Sequence, residues 1–420
     1  MMKSIILIGG PSKGTRFRPL SLDVPKPLFP IAGLPMIQHH IEACSKMENL
    51  SEILIIGSYP ASEFYHFVQE MISLYSLSIR YLQEFTPLGT AGGMYHFRDQ
   101  IISGNTKYFF IMNGDVCANF PLKELFEFHK NKNSLFTIMA TETTRKQSSN
   151  YGCIVVGKKG EVNHYVEKPS SFVSSLINCG VYITSPDIFQ TMSDVFFTRQ
   201  EKKNIGEYLN GSGKDPAHIS LEEDILLKLV ATNQMYALPV TNWWSQVKTA
   251  GAAIYANRHY LTLYRQKKPE LLAPNEDFDN RIIGDVHIHP TALVDSTSVL
   301  GPNVSIGPKA FIGPGVRIRE SIVLGNAQIE AHSVVLHSII GKNSFIGKWA
   351  RVEGTPCDPN PNKPFAKMEN SPLFNNNGKL NPAITILSTN VSLSAEKILL
   401  NSVVLPHKQL TRNFKNEIIL

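Results

Sequence analysis

Two short stretches near the amino terminus carry residue types suited to holding phosphate. The first is Ile8-Gly9-Gly10-Pro11-Ser12-Lys13-Gly14-Thr15-Arg16-Phe17-Arg18-Pro19-Leu20, directly after an apolar run. Glycine-rich backbone after a strand can turn its N–H groups onto an anion, and Arg16 adds a rigid cationic fork. The second is Val24-Pro25-Lys26-Pro27-Leu28, which fixes one lysine between two prolines. Either basic residue alone would ordinarily be read as a solvated surface charge. Asp115, in Asn113-Gly114-Asp115, closes an apolar run and offers a hard oxygen ligand, although a plain strand-end turn has the same look.

These residues need a scaffold, and the first 250 residues supply the pattern of one. Short β-branched runs at Ser4–Ile8, Glu52–Ile56, Ile79–Leu82, Tyr108–Met112 and Leu135–Ala140 alternate with helical stretches. That alternation predicts βαβ units around a mostly parallel sheet. Met36–Cys44 follows Pro35 and sets Ile37 and Ile41 four apart, predicting a helix. Arg199–Ser220 is polar and glycine-bearing, and reads as a surface excursion.

From Ile288 the texture changes. Ile288, Val294, Leu300, Ile306, Ile312, Ile318 and Leu324 recur every six residues, and Ile340, Ile346 and Val352 resume the pattern after a slip. Hexapeptide repeats of this kind build a parallel β-helix, each segment giving one side and one inward aliphatic. The expected domains are therefore 2–250, a helical connector at 251–272, and a repeat domain at 273–420. A loop rich in Pro and Asn at about 354–382 interrupts the repeat and is either a contact arm or a disordered insertion.

Composition excludes several function classes. No run approaches the length of a membrane span. The net charge is +6 with no Lys/Arg block, so nucleic-acid binding is not expected. Cys44, Cys117, Cys153, Cys179 and Cys357 show no paired spacing, which points to reduced thiols and a cytoplasmic protein. His287, His289, His332 and His337 fall in the repeat domain, and His39 and His40 show no metal spacing with Cys44.

The ordered motifs resemble those of the sugar-1-phosphate nucleotidyltransferases, G-G-x-G-T-R-L-R-P-L followed by P-K-P-L. The likeness continues through Pro87-Leu88-Gly89-Thr90-Ala91-Gly92, Asn113-Gly114-Asp115, Glu167-Lys168-Pro169 and Asn178-Cys179-Gly180. Within that family the chain looks most like the mannose-1-phosphate guanylyltransferases and their regulatory branch. The resemblance implies a Rossmann-like nucleotidyltransferase domain, of the GT-A-like kind, followed by a left-handed β-helix. It also implies roles. Gly9, Gly10 and the Gly89–Gly92 turn would line a nucleotide, with Asn113 nearby, and Glu84 would read guanine. Guanine offers adjacent N1–H and N2–H donors that one carboxylate accepts together. Gly152, Glu167, Lys168 and Asn178 would grip the sugar and its phosphate, and Asp115 would hold Mg²⁺.

Two departures shape the functional expectation. Pro11-Ser12-Lys13 stands where active relatives have one residue, and Pro11 has no N–H to offer. In Trp243-Trp244-Ser245-Gln246-Val247-Lys248, Gln246 stands where the resemblance puts a second metal carboxylate; it can still hydrogen-bond a sugar or phosphate but brings no charge to Mg²⁺. The expectation is a regulatory subunit that binds GDP-mannose, partners a catalytic homologue and restrains it by feedback, with self-association through the β-helix. Were the chain active, Arg16, Lys26 and Asp115 would carry guanylyl transfer. A non-catalytic assembly subunit, like those of the translation initiation exchange factor, is a further alternative that the retained sugar motifs disfavour.

Overall fold

The computed structural model describes residues 1–12, 14–204, 217–274, 281–369 and 372–420. Lys13 of the widened glycine loop and most of the Arg199–Ser220 stretch lie outside the described residues. The chain forms two compact units, each drawn from separated stretches of sequence. The first comprises Met1–Lys13, Ile37–Trp244 and Asn360–Lys367, and the second comprises Gly14–Met36, Ser245–Pro359 and Met368–Leu420.

The first unit is an α/β layer structure. Its sheet strands are β1 (Met2–Gly9), β2 (Leu50–Gly57), β3 (Ser78–Gln83), β4 (Tyr108–Asn113), β5 (Phe136–Glu142), β6 (Gly152–Val156), β7 (Val162–Glu167), β8 (Leu176–Thr184) and β9 (Met235–Pro239). The order is β7-β6-β8-β4-β1-β2-β3, with β5 pairing both β8 and β9. Strands β3, β2, β1 and β4 run parallel, whereas β8 enters antiparallel beside β4. The five runs all become strands; four are buried on both faces and so are apolar almost throughout, whereas β3, at the sheet edge, alternates and exposes Ser78 and Arg80. The helix at Met36–Ser45 also forms. A second helix, Ala61–Tyr75, buries Phe64, Phe67, Val68 and Met71, an i, i+3, i+4, i+7 stripe that seats it on the sheet.

The chain leaves β1 towards β2 and β3, then returns to place β4 on the other side of β1. Ligands of open α/β sheets bind beyond the carboxyl ends of the strands at such a reversal. Gly9, Gly57, Gln83 and Asn113 end those four strands, so the loops that leave them border one crevice.

On the helix Leu122–Lys132, His129 is buried with Nδ1 2.8 Å from Thr137 Oγ1 and 3.0 Å from Ser134 Oγ. Its Nε2 is buried without a hydrogen-bond partner among the described residues, and burial lowers its pKa to about 4. The unfolded chain binds that proton near pH 6.5, so stability is full above this value and declines as pH falls towards 4. The expected loss is up to about 3 kcal/mol. Thermal midpoints at pH 7 and pH 5 should lie closer together in His129→Asn than in the parent. An unchanged gap would show that His129 titrates normally.

The second unit is a left-handed parallel β-helix with an added helix and the segment 14–36. Among the described residues, three parallel sheets of seven, six and six strands form its sides. Inward columns such as Ile312, Ile329, Ile346, Leu393 and Leu410 fill the centre. The opening coil spans 18 residues, the coils after it 17 apart from the one that carries the insertion, and the closing coil 15; the first change shortens one side from six residues to five. Leu324 therefore misses the inward row to which the strict six-residue count assigns it. Val323 is buried there instead, between Ile306 and Ile340. The slip before Ile340 is the same shortening repeated one coil later. Corner residues, among them His332 and His337, take the left-handed backbone conformation.

The segment 14–36 is fixed within this unit. Asn257, fully buried on the helix Ala250–Lys267, accepts from the Ala32 amide and from Ser305 Oγ of the β-helix, both at 2.8 Å. The long insertion runs from Glu353 to Thr385, between strands of adjacent coils. Arg258 holds its base through Asp358 at 3.0 Å, and also binds Glu320. Residues 360–367 group with the first unit, where Gln147 accepts from the Lys367 amide at 2.9 Å and donates to its carbonyl at 2.7 Å.

Candidate functional site

Loops beyond the parallel strands build a cleft. It holds about 130 Å³ and is lined by Gly9, Gly10, Ser58, Glu84, Gly89 and Thr90, with Leu7, Ile56 and Pro87 completing it. Gly10 has room only for hydrogen on that side, since a side chain would strike Ser58 Oγ. The Glu84 amide donates to Gly57 O at 2.8 Å, tying the loop after β3 to the end of β2. Gly89 faces the cleft in the left-handed region, φ 81°, where β-carbons are strained. Gly92 is placed differently. It is buried, and its amide donates to Ile219 O, so it packs the turn against 217–219.

A polar network forms the second part. Asn178 Nδ2 donates to Tyr182 Oη at 2.9 Å and Tyr165 Oη at 3.2 Å, while its Oδ1 accepts from the Gly180 amide at 2.8 Å. Tyr165 donates to Glu167 at 2.7 Å, and Lys168 pairs with the other Glu167 oxygen at 2.5 Å. Gly152 makes this possible: a β-carbon there would sit 2.2 Å from the Tyr165 hydroxyl and 2.7 Å from Glu167. The four residues named from sequence for the sugar end thus meet in one cluster. Asn113 ends β4, with Nδ2 against Gly180, and Asp115 is half-buried two residues on.

Sequence reasoning missed Glu222, Tyr165 and Tyr182, and included Thr90 only as part of the Gly89–Gly92 turn. Glu222 accepts from Thr90 Oγ1 at 2.8 Å and from Ser220 Oγ at 3.2 Å. Burial raises its carboxyl above the usual range, and the charge of Glu167 adds to the rise. Its bond to Thr90 ties it to the turn that lines the cleft. Its setting, Ser220-Leu221-Glu222-Glu223-Asp224, carries the acidic first turn and serine cap of an ordinary helix start, so nothing marked it out.

Arg16, Lys26 and Gln246 belong to the second unit. Arg16 is exposed in the short turn Thr15–Phe17. Lys26 is buried, its Nζ 5.9 Å from the Phe17 ring centre and lying along Gly14. Gln246 ends the short strand Trp244–Gln246 and is half-buried. Trp244 is a packing residue. Its indole donates to Cys179 O at 2.9 Å and its ring meets Tyr151 edge-on.

Two family models cover the chain, "Nucleotidyl transferase" over residues 3–258 and "GMPPB C-terminal domain" over residues 282–419. The mannose-1-phosphate guanylyltransferase regulatory subunit alpha of Drosophila melanogaster is 60% identical, and the match covers 100% of both chains. The alpha-A subunit of Danio rerio is 55% identical and the alpha subunit of Xenopus tropicalis 54%, again over 100% of both chains. This chain belongs to that family of regulatory alpha subunits, within the nucleotidyl transferases.

Family membership implies a metal, and the residues present can be tested for it. Among the described residues, no group of three or more His, Cys, Asp and Glu could hold an ion. Asp115 remains as one carboxylate, and Mg²⁺ there would depend on ligand phosphates for much of its shell. Among the described residues no helix is long and apolar enough to cross a membrane. No cysteine is in a disulfide; Cys44, Cys117, Cys153 and Cys179 are buried and Cys357 half-buried.

Proposed function

We propose that the chain binds GDP-mannose and, as the regulatory subunit of a cytoplasmic mannose-1-phosphate guanylyltransferase complex, restrains a catalytic homologue by feedback. One observation carries this reading. A cleft with a carboxylate at its wall and a sugar-type network of Asn178, Glu167 and Lys168 are built in the same unit. An assembly scaffold has no use for either. The name borne by the relatives supports the regulatory role and the partnership with a catalytic subunit.

In this reading Glu84 accepts both guanine donors, the network around Asn178 and Glu167 meets the mannose hydroxyls, and Lys168 meets the sugar phosphate. Lys26 and Arg16 supply positive charge for the nucleotide phosphates. Magnesium, if bound at Asp115, would neutralise phosphate charge. Gln246 brings no charge to such an ion, so product recognition outlasts efficient transfer. Feedback requires two states that the ligand stabilises unequally. The 354–382 insertion is the segment we assign to contact with the partner. Self-association would run through the β-helix.

The purified chain should be given GTP, mannose 1-phosphate and Mg²⁺, and pyrophosphate release followed beside GDP-mannose binding. Binding without release is expected. Release near about 1 s⁻¹, the low end for enzymes, would make the chain a catalyst instead. Removing 354–382 should leave GDP-mannose binding in place and abolish inhibition of the catalytic homologue. Inhibition that persists would remove the insertion from the mechanism.

A further inference from the structure

Gly93 stands on the helix Gly89–His96, two turns of which extend from the cleft-lining Gly89 and Thr90. It has ordinary helical backbone, so no left-handed conformation demands a glycine there. The demand is one of space. A β-carbon at 93 would lie 1.8 Å from Glu84 Oε1, 3.0 Å from its Cδ and 3.3 Å from Ile56 Cγ2. The carboxylate of Glu84 therefore rests in the hollow where a side chain would be, with Ile56 on the neighbouring strand beside it.

We propose that Gly93 is a specificity-positioning residue: by having no side chain it seats the Glu84 carboxylate at the depth where both of its oxygens meet a purine's N1–H and N2–H. The inference rests on the guanine-binding reading above and names what sets its selectivity. Glu84 and Ile56 both line the cleft, so the seat forms part of its wall. The nearest atoms that a β-carbon at 93 would meet belong to the side chains of Glu84 and Ile56, the closest being the far end of the carboxylate rather than backbone. The backbone can stay put while the carboxylate swings out. Alanine is also the better helix former, so the substitution favours the local helix.

The role is read from a ratio that loss of folding alone would not move. Inosine diphosphate mannose keeps the N1–H donor and lacks the N2 amine. The unaltered chain should favour GDP-mannose over it by roughly 10–100-fold, the worth of one hydrogen bond to a charged group. In Gly93→Ala the ratio should fall towards one while the thermal midpoint holds or rises. Because Gly93 acts through Glu84, adding Gly93→Ala to Glu84→Ala should cost no further affinity. A folded Gly93→Ala chain with the parental ratio overturns the proposal, as does full additivity of the two substitutions. Glu84→Asp, which draws the carboxylate off its seat by one methylene, must lower the same ratio. A parental chain that binds neither sugar nucleotide overturns the functional reading itself, and the seat with it.

Discussion

Glu84→Ala is expected to weaken GDP-mannose binding by roughly 100-fold or more, because it leaves two guanine donors unpaired in the cleft. The residue sits on the loop after β3, half-buried, with its backbone held by Gly57 O. Removing the side chain therefore spares the loop's main-chain anchor, and the thermal midpoint should move little. Glu84→Gln is informative beside it. An amide presents one acceptor and one donor group, so one guanine donor would face another donor. Its loss should approach that of alanine, although the side chains differ by almost nothing in volume. Calorimetric titration of both variants with GDP-mannose decides the matter. Affinity within threefold of the parent in Glu84→Gln would mean that the carboxylate does not read the base.

The second large effect is expected at Asn178. Its one amide group serves three partners, Tyr165, Tyr182 and the Gly180 backbone. Tyr182 is fully buried and Tyr165 nearly so. Alanine at 178 strands the Tyr182 hydroxyl and the Gly180 amide, while Tyr165 keeps its bond to Glu167, at a cost on the order of 2–3 kcal/mol. Thermal unfolding should show this as a midpoint lower by several degrees. Binding should change selectively. GDP-mannose affinity is expected to drop by roughly 100-fold, whereas GDP, which lacks the sugar, should bind nearly as before. Equal losses for the two ligands would mean that the network supports the fold and does not touch the sugar.

The parts of this molecule that repeat or alternate were legible from residue order. Strands β1, β2, β4 and β5 announce themselves because burial on both faces forces nearly unbroken apolar runs, and the edge strand β3 by its alternation. The β-helix announces itself because each side must send one aliphatic inward. What escaped was set by geometry that leaves no periodic trace. Val323 replaces Leu324 because one corner is a residue shorter, and both residues are aliphatic. Glu222 hid within a conventional acidic helix start. Gly93 acts by what it lacks, and in Gly92-Gly93 it reads as a second, redundant glycine. The pairing of Gln147 with Lys367 joins residues 220 apart through side-chain and backbone amides, which carry no pattern along the chain.

The tie between Ala32 and Asn257 has a bearing on how the molecule is made. Synthesis delivers residues 14–36 first, yet the groups that fix them, Asn257 and Ser305, come more than two hundred residues later. Ser388, later still, donates to the Pro19 carbonyl. A nascent chain can assemble β1 to β9 while the stretch bearing Arg16 and Lys26 still waits for its anchors. A product cut short after about residue 250 would keep the complete sheet and Glu84, but its cationic loop would never be set.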